Sequence, residues 1–149
     1  RRPHTTLAVV GQRPHPRLDA LRQLPGLTIT GYVDDVRPYL AGAGVYVAPL
    51  RVGGGTRLKL LEAMAMGKAI VSTTVGAEGF PVVDGQELLL ADEPEEFAAA
   101  VLKLLANPAH RSQIGARGQT FARANYGWAA LVPQLEQVYE QLRRQMVDR

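Results

Sequence analysis

The sequence predicts an α/β fold in which a parallel sheet is covered by helices on both faces. Five short apolar runs, rich in β-branched residues, alternate with stretches that have helical spacing. The runs are continuously apolar instead of alternating, which is typical of strands buried on both faces of a parallel sheet. After residue 92 the pattern is helical only, so the last helices follow the sheet.

The elements can be placed in order along the chain. Strands are predicted at TTLAVVG (5–11), LTITGYV (27–33), GVYVAPL (44–50), KAIVSTT (68–74) and ELLLAD (87–92). Helices are predicted at 16–24, 34–43, 57–66, 94–106, 109–124 and 128–144. Because the sequence contains no repeat and no linker, we predict a single domain over residues 1–149.

For two of these helices, the sequence also predicts what particular side chains do. We expect Asp34 or Asp35 to cap the helix at 34–43. The helix at 128–144 has an apolar seam, which we expect to pack against the rest of the domain. The seam comprises Trp128, Leu131, Val132, Leu135, Val138, Tyr139 and Leu142.

Composition and charge exclude several classes of function. The 149 residues include no cysteine, which excludes disulfides, thiolate catalysis and Cys-ligated zinc and is compatible with the cytoplasm. No apolar run approaches the ~18 residues that a membrane span needs. The net charge of +3 is dispersed, without the basic stripe that nucleic-acid binding requires, so an anionic small ligand fits better. Because the chain opens RRPHTT, without methionine, we expect a piece of a longer protein.

The segment RVGGGTRLKLLEAMAMG, residues 51–67, predicts an anion site. A run of three glycines leads into a helix whose expected N-cap is Thr56 and whose first turn carries Arg57 and Lys59. Cations at the positive end of a helix cost a few tenths of a kcal/mol each, roughly. A bound anion would compensate, since glycines allow close backbone approach and the free amides of the first turn bind anions. The alternative is a flexible loop with two solvated cations.

Glu62 lies in the same helix among leucines, alanines and methionines. Because this helix looks largely buried, a carboxylate there should have a dedicated partner. One interpretation is an ion pair with Lys59, three residues earlier, which stabilises a helix by only a few tenths of a kcal/mol, roughly. The other interpretation is contact with a ribose, whose two hydroxyls would donate hydrogen bonds to the carboxylate, as in dinucleotide-binding folds.

At this point the chain resembles a known family. LLEAMAMGKAIVSTTVGAEG is similar to the central signature of group 1 glycosyltransferases of the GT-B fold, in which two Rossmann-like halves close on a nucleotide-sugar. VVG at 9–11, GYVDDVRPYLAGAGVYVAPLR and ANYGWAALVPQLEQVYEQL resemble further segments of the C-terminal half, in the family's order and spacing.

The resemblance implies a donor site for a nucleoside diphosphate sugar. The acid of the LEAMA helix, here Glu62, would hold ribose, and the glycine loop and helix start would lie against sugar and diphosphate. The turns after the first two strands would border the base and the nucleotide. The predicted donor-binding residues are thus Glu62, Gly53, Gly54, Gly55, Thr56, Arg57, Leu58, Lys59, Gly11, Gln12, Arg13, Tyr32, Val33 and Asp34. No catalytic residue is assigned within this chain, and no metal or cofactor is expected, the nucleotide-sugar being a substrate.

The chain departs from the family pattern in two respects. Gly54 occupies the position of a second glutamate that grips the donor sugar. The first strand of the C-terminal half, the GR…KG segment after it and the whole N-terminal half, with its acceptor site, would precede Arg1. We therefore expect the isolated piece to be inactive and to bind nucleotide weakly. The full-length enzyme would be cytoplasmic or peripheral to the inner membrane, and would act on a carbohydrate or lipid-linked acceptor of a cell-envelope polysaccharide.

The missing strand also affects the expected sheet. It is central in the usual order 3-2-1-4-5-6, so we expect the remaining five strands to close up as 2-1-3-4-5. The alternative is a disordered sheet or a dimer through the exposed sheet region.

Other functions remain open at this stage. A nucleotide-sugar epimerase of the same fold would require His/Asp chemistry between two halves. A non-catalytic nucleotide- or phosphate-binding module is a further alternative. A phosphoryl-accepting receiver would need acids at the end of the first strand, where the sequence reads VVGQRP.

Overall fold

The computed structural model describes residues 4–147. The chain falls into two compact units, a first unit Arg1–Ala43 and a second unit Gly44–Arg149, each with its own parallel sheet. Among the described residues, no helix has both the length and the apolarity that a bilayer crossing demands.

The first unit is built on two parallel strands. Strand β1 (Leu7–Val10) pairs with β2 (Leu27–Gly31), in a register that places Leu7 beside Leu27. The connection contains a short 3-10 helix, Pro16–Leu21, in place of the predicted α-helix at 16–24. Helix α1 (Arg37–Gly42) begins three residues later than predicted.

The cap predicted at Asp34 or Asp35 is supplied by Asp35. Its carboxylate accepts a hydrogen bond of 2.9 Å from the backbone N–H of Arg37, the first residue of α1, although the N-cap position itself is Val36. The same carboxylate pairs with the Arg37 side chain at 2.9 Å. These bonds lower the pKa of Asp35.

The second unit contains a three-stranded parallel sheet in the order β3-β4-β5. The strands are Val45–Ala48, Ala69–Ser72 and Leu89–Leu90. All four residues of β4 are buried, as the continuously apolar pattern predicts for a central strand. The core beneath it comprises Ala69, Val71, Leu89, Leu104 and Ile114.

Four α-helices complete the second unit: α2 (Leu58–Ala65), α3 (Pro94–Ala106), α4 (Pro108–Tyr126) and α5 (Trp128–Val147). Gly67 follows Met66, the C-cap of α2, and its positive φ of 68° allows Lys68 N–H to reach back to Ala63 O at 3.0 Å. Helix α4 begins at an Asn107 cap and packs closely on the turn after α2.

The prediction of one five-stranded sheet is corrected by the structure. The neighbours 2-1 and 3-4-5 are confirmed, but they form two sheets of two and three strands instead of one. In the family pattern that the sequence resembles, a further strand lies between β1 and β3, and no described segment forms such a strand. Among the described strands, β1 pairs with β2 alone and β3 pairs with β4 alone.

The prediction that the apolar seam of α5 is packed is wrong for this structure. Every residue from 131 to 146 is exposed, and Trp128 is 82% exposed. Helical spacing correctly identifies an apolar face, but burial requires a covering element, and among the described residues the late turns of α5 have none.

Candidate functional site

The carboxyl edge of the three-stranded sheet gathers the predicted donor loops of the second unit. Because β3, β4 and β5 are parallel, the segments that follow them leave the sheet at the same edge. These segments are the glycine loop 49–57, the turn 73–78 and residues 91–92. In open α/β sheets, ligands bind at this edge.

The backbone of the glycine loop is open to solvent. Residues 51–56 are exposed, and Gly53 and Gly55 adopt positive φ of 143° and 86°. Within the described chain, the backbone N–H groups of 53–57 and of Lys59 donate to no protein acceptor. The amide of Leu58 is the exception, since it bonds Thr56 O at 2.9 Å. The loop and the start of α2 therefore present a group of unused donors.

The predicted N-cap of α2 is wrong by one residue. Arg57, not Thr56, occupies the N-cap position, and no side chain caps the helix. Arg57 therefore precedes the first turn instead of belonging to it, and its carbonyl accepts the amides of Leu60 and Leu61. An uncapped helix start with free N–H groups is a preferred position for an anion.

The two predicted cations are placed differently. The Arg57 side chain is only 9% exposed and donates to the carbonyls of Gly53, Gly54 and Val75. Lys59 is exposed and has no ion-pair partner among the described residues. The alternative of a loop with two solvated cations is therefore wrong for Arg57, whose side chain is hydrogen-bonded to the loop.

Glu62 lies on the exposed face of α2. The buried face consists of Leu60, Ala63 and Met64, whereas Glu62 is exposed, as are Leu58 and Lys59 one turn earlier. The prediction that Glu62 sits in a buried surrounding with a dedicated partner is therefore wrong.

The carboxylate of Glu62 is also unpaired. Within residues 4–147 it makes no hydrogen bond or ion pair, so the predicted pair with Lys59 is not formed. Its charge acts on the half-buried Tyr46 of β3, whose pKa is raised by burial and, to a smaller extent, by Glu62. Glu62 is thus an available acceptor on the helix face that carries Lys59.

The predicted nucleotide-side residues of the first unit follow β1 and β2. Gly11, Gln12 and Arg13 leave β1, and Tyr32, Val33 and Asp34 leave β2, so both segments lie at the carboxyl edge of the two-stranded sheet. The two exits are tied by a hydrogen bond of 3.2 Å from Gly11 N–H to Gly31 O.

Exposure differs among these six residues. Tyr32, Gln12, Arg13 and Asp34 are exposed, whereas Gly11 and Val33 are half-buried. Arg13 adopts a positive φ of 47°, which is uncommon for a residue other than glycine and often marks a turn with a function.

Sequence reasoning missed the residues that tie the loops of the second unit together. The buried Thr73 hydroxyl accepts from Gly76 N–H at 3.0 Å and donates to Leu50 O, which joins the exits of β3 and β4. Next to it, the Ser72 hydroxyl donates to Thr73 O at 2.9 Å. The available signal was a pair of hydroxyl residues at the end of an apolar strand, because buried hydroxyls need hydrogen-bond partners.

Asp92 makes a similar link between β4 and β5. One carboxylate oxygen accepts from Thr74 N–H and the other from the Thr74 hydroxyl, both at 2.7 Å. These two bonds, and to a smaller extent the charge of Arg51, lower the pKa of Asp92. A lowered native pKa favours the folded state above the pKa of the unfolded carboxyl. This contribution is lost as the pH falls below about 4 and through the native pKa.

We expect Thr74→Val to raise the pKa of Asp92 towards its ordinary value, because the variant removes the larger of the two hydrogen bonds. Carboxyl ¹³C NMR titration measures this value directly. Asp35, whose pKa depends on Arg37, serves as the internal control and should not change. An unchanged Asp92 titration in Thr74→Val would show that the Thr74 hydroxyl does not set it.

Comparison with known proteins shows the family of this chain. Residues 1–107 match the profile of glycosyl transferases group 1. The chain belongs to the group 1 glycosyltransferases. Phosphatidyl-myo-inositol mannosyltransferase of Mycobacterium tuberculosis is 33% identical over 151 residues, a match that covers 93% of this chain and 39% of that protein. The chain spans about a third of the length of the curated relatives it matches, 31% of the first two and 39% of the third.

Solved structures confirm the fold of this group 1 glycosyltransferase chain. HepE of Anabaena in complex with UDP has a TM-score of 0.81 and 17% identity, covering 94% of this chain and 42% of HepE. The C-terminal domain of a group 1 glycosyl transferase, LpcC of Francisella tularensis, has a TM-score of 0.65 and 20% identity, covering 75% of this chain and 60% of that domain. The predicted Rossmann-like α/β class, typical of GT-B C-terminal halves, is thereby confirmed.

Proposed function

We propose that the whole protein transfers a sugar from a nucleoside diphosphate sugar to an acceptor, and that this chain forms its donor-binding part. The observation that carries the proposal is the surface around the start of α2. An unpaired carboxylate, Glu62, lies on the same helix face as a free cation, Lys59, beside a loop whose amides have no acceptor among the described residues.

Each part of this surface suits one part of the donor. Glu62 accepts hydrogen bonds from the ribose hydroxyls, and the amides of Gly53, Gly54 and Gly55 and of Lys59 bind the diphosphate. During transfer the diphosphate leaves with growing negative charge, which the same amides and the Lys59 ammonium stabilise.

Two findings support this choice of ligand. HepE, which shares the fold, was crystallised with UDP and with UDP-glucose. The loop and the start of α2 present N–H groups without an acceptor among the described residues, which suits an anion, and the exposed Glu62 carboxylate can accept hydrogen bonds from hydroxyls.

The acceptor and the remaining machinery belong to the whole protein. We place a carbohydrate or a lipid-linked sugar of the cell envelope at a second half, because the relatives include a phosphatidyl-myo-inositol mannosyltransferase. A cytoplasmic enzyme, peripheral to the inner membrane, fits an acceptor of this kind. No metal or cofactor is needed for the proposed roles of these residues.

The test is a titration of the 149-residue chain with UDP, GDP and ADP, followed by amide NMR. We expect weak binding, with Kd on the order of 1 mM, because one wall of the proposed site belongs to the rest of the protein. Shifts should concentrate in residues 53–59 and near Glu62. If none of the three nucleotides moves these resonances, the donor-binding role is wrong.

A further inference from the structure

The Arg57 side chain is not placed as a cation that is free to bind a ligand. Its side chain is 9% exposed, and its Nε is buried without an acceptor among the described residues. Lys59, two residues later, is exposed and unpaired in the described chain. The two cations of the helix start therefore have different tasks.

The guanidinium joins the glycine loop to the turn after β4. Nη2 donates to Gly53 O at 2.8 Å and to Val75 O at 3.1 Å, while Nη1 donates to Gly54 O at 3.1 Å. Glu78, at the end of that turn, lies 3.7 Å from Nη2 and is 71% exposed. Three of the four contacts are thus to backbone oxygens, at fixed positions that a planar fork of donors suits.

These contacts set the direction of two peptide groups. None of the described peptide bonds is cis, and in a trans peptide the C=O and the following N–H point in opposite directions. Because the carbonyls of Gly53 and Gly54 point to Arg57, the N–H groups of Gly54 and Gly55 point away from it. Both groups lie in exposed residues and have no acceptor among those described.

We propose that Arg57 is a positioning residue, which orients the glycine loop so that the amides of Gly54 and Gly55 face the diphosphate of the donor. The inference rests on the proposed function. In it, Arg57 orients the loop instead of contacting the anion directly. A loop of three glycines is otherwise costly to order, because glycine loses the most conformational freedom on folding. Arg57 fixes the loop before the ligand arrives, and preorganised donors bind developing charge best.

The test compares Arg57→Lys with Arg57→Met, using inorganic pyrophosphate and UDP as probes. Lysine keeps the charge but not the forked geometry, so both variants should bind at least about tenfold more weakly than wild type, about 1.4 kcal/mol. In wild type, pyrophosphate should shift the Gly54 and Gly55 amide resonances, and in Arg57→Lys this response should be lost. If Arg57→Lys binds as wild type while Arg57→Met does not, Arg57 contacts the anion directly and the inference is overturned.

A second pair of variants tests the contact between Arg57 and the glycine loop by changing a glycine instead of Arg57. It keeps the inference testable if the Arg57 variants do not fold. An alanine Cβ at Gly53 would lie 3.3 Å from Arg57 Nη1, at a φ of 143° that favours glycine. Gly85 matches the left-handed backbone, with a φ of 77°, but the added Cβ there has no heavy atom within 4 Å and the residue lies outside the proposed site. We expect Gly53→Ala to lose affinity as Arg57→Lys does and Gly85→Ala to keep it.

Equal affinity of Gly53→Ala and Gly85→Ala would overturn the inference and leave the proposed function standing. A wild-type chain that binds neither pyrophosphate nor UDP, GDP or ADP would instead contradict the proposed function itself. The two failures are therefore distinguishable.

Discussion

Replacing Gly115 with alanine is expected to lower the free energy of unfolding of the second unit by about 3 kcal/mol. The added Cβ would lie 2.2 Å from Gly67 O, 3.1 Å from Gly67 C and 3.3 Å from Ala69 N. All three are backbone atoms, of the turn after α2 and of the first residue of β4, so no side chain can rotate away. Helix α4 would have to move off this turn and open the core at Ile114, which is 1% exposed.

The control is a helical glycine without such a neighbour. At Gly42, the last residue of α1, an added Cβ has no heavy atom within 4 Å. Gly42→Ala should therefore be neutral or stabilise by up to about 1 kcal/mol, because alanine has the higher helix propensity. Urea unfolding followed by circular dichroism at 222 nm measures both changes. A wild-type midpoint for Gly115→Ala would show that α4 and the α2–β4 turn are further apart than in this structure.

Local signals predicted the elements well where a residue type dictates the backbone. Helix α3 runs over Pro94–Ala106 as predicted, because Pro94 fits the first helical position and Asn107-Pro108 ends the helix. Strand β4 is shorter than predicted, Ala69–Ser72 instead of 68–74, because its partner β3 ends at Ala48, which lies opposite Ser72. The lateral order of the strands depends on partners distant in sequence. A periodicity cannot specify those partners, so the prediction of a single sheet was wrong.

The predictability of the candidate site divides in the same way. The glycine loop, its two cations and Glu62 could be identified from the sequence, because unusual charges at a helix start can be recognised without a structure. It did not show that Arg57 turns inward to three carbonyls, since side-chain direction depends on the position of Val75, 18 residues later. Apolar neighbours also suggested a buried Glu62, but Ala65 and Leu58 are themselves exposed, so the apolar face of α2 is narrower than its composition implies.

Replacing Glu62 with alanine is expected to weaken the binding of the nucleoside diphosphate strongly without abolishing it. If the carboxylate accepts two hydrogen bonds from ribose, each charge-assisted and contributing about 1.5 kcal/mol or more, the loss is about 3 kcal/mol, or roughly 100-fold in Kd. The fold should tolerate the change, because Glu62 is exposed and unpaired among the described residues and alanine favours the helix. Calorimetric titration with UDP, GDP and ADP, supported by amide NMR for the weak complexes, compares the variant with wild type.

The ribose hydroxyls provide the decisive control for this role. Wild type should bind 2′-deoxy-UDP more weakly than UDP, whereas Glu62→Ala should bind the two equally, because the acceptor of the 2′-hydroxyl has been removed. Glu96→Ala removes the same charge from an exposed position in the first turn of α3 and should bind as wild type. If Glu62→Ala binds UDP as tightly as wild type, the carboxylate does not contact the ribose. If it loses affinity equally for both nucleotides, Glu62 acts through its charge or through the loop, since a hydrogen bond to the 2′-hydroxyl would distinguish them.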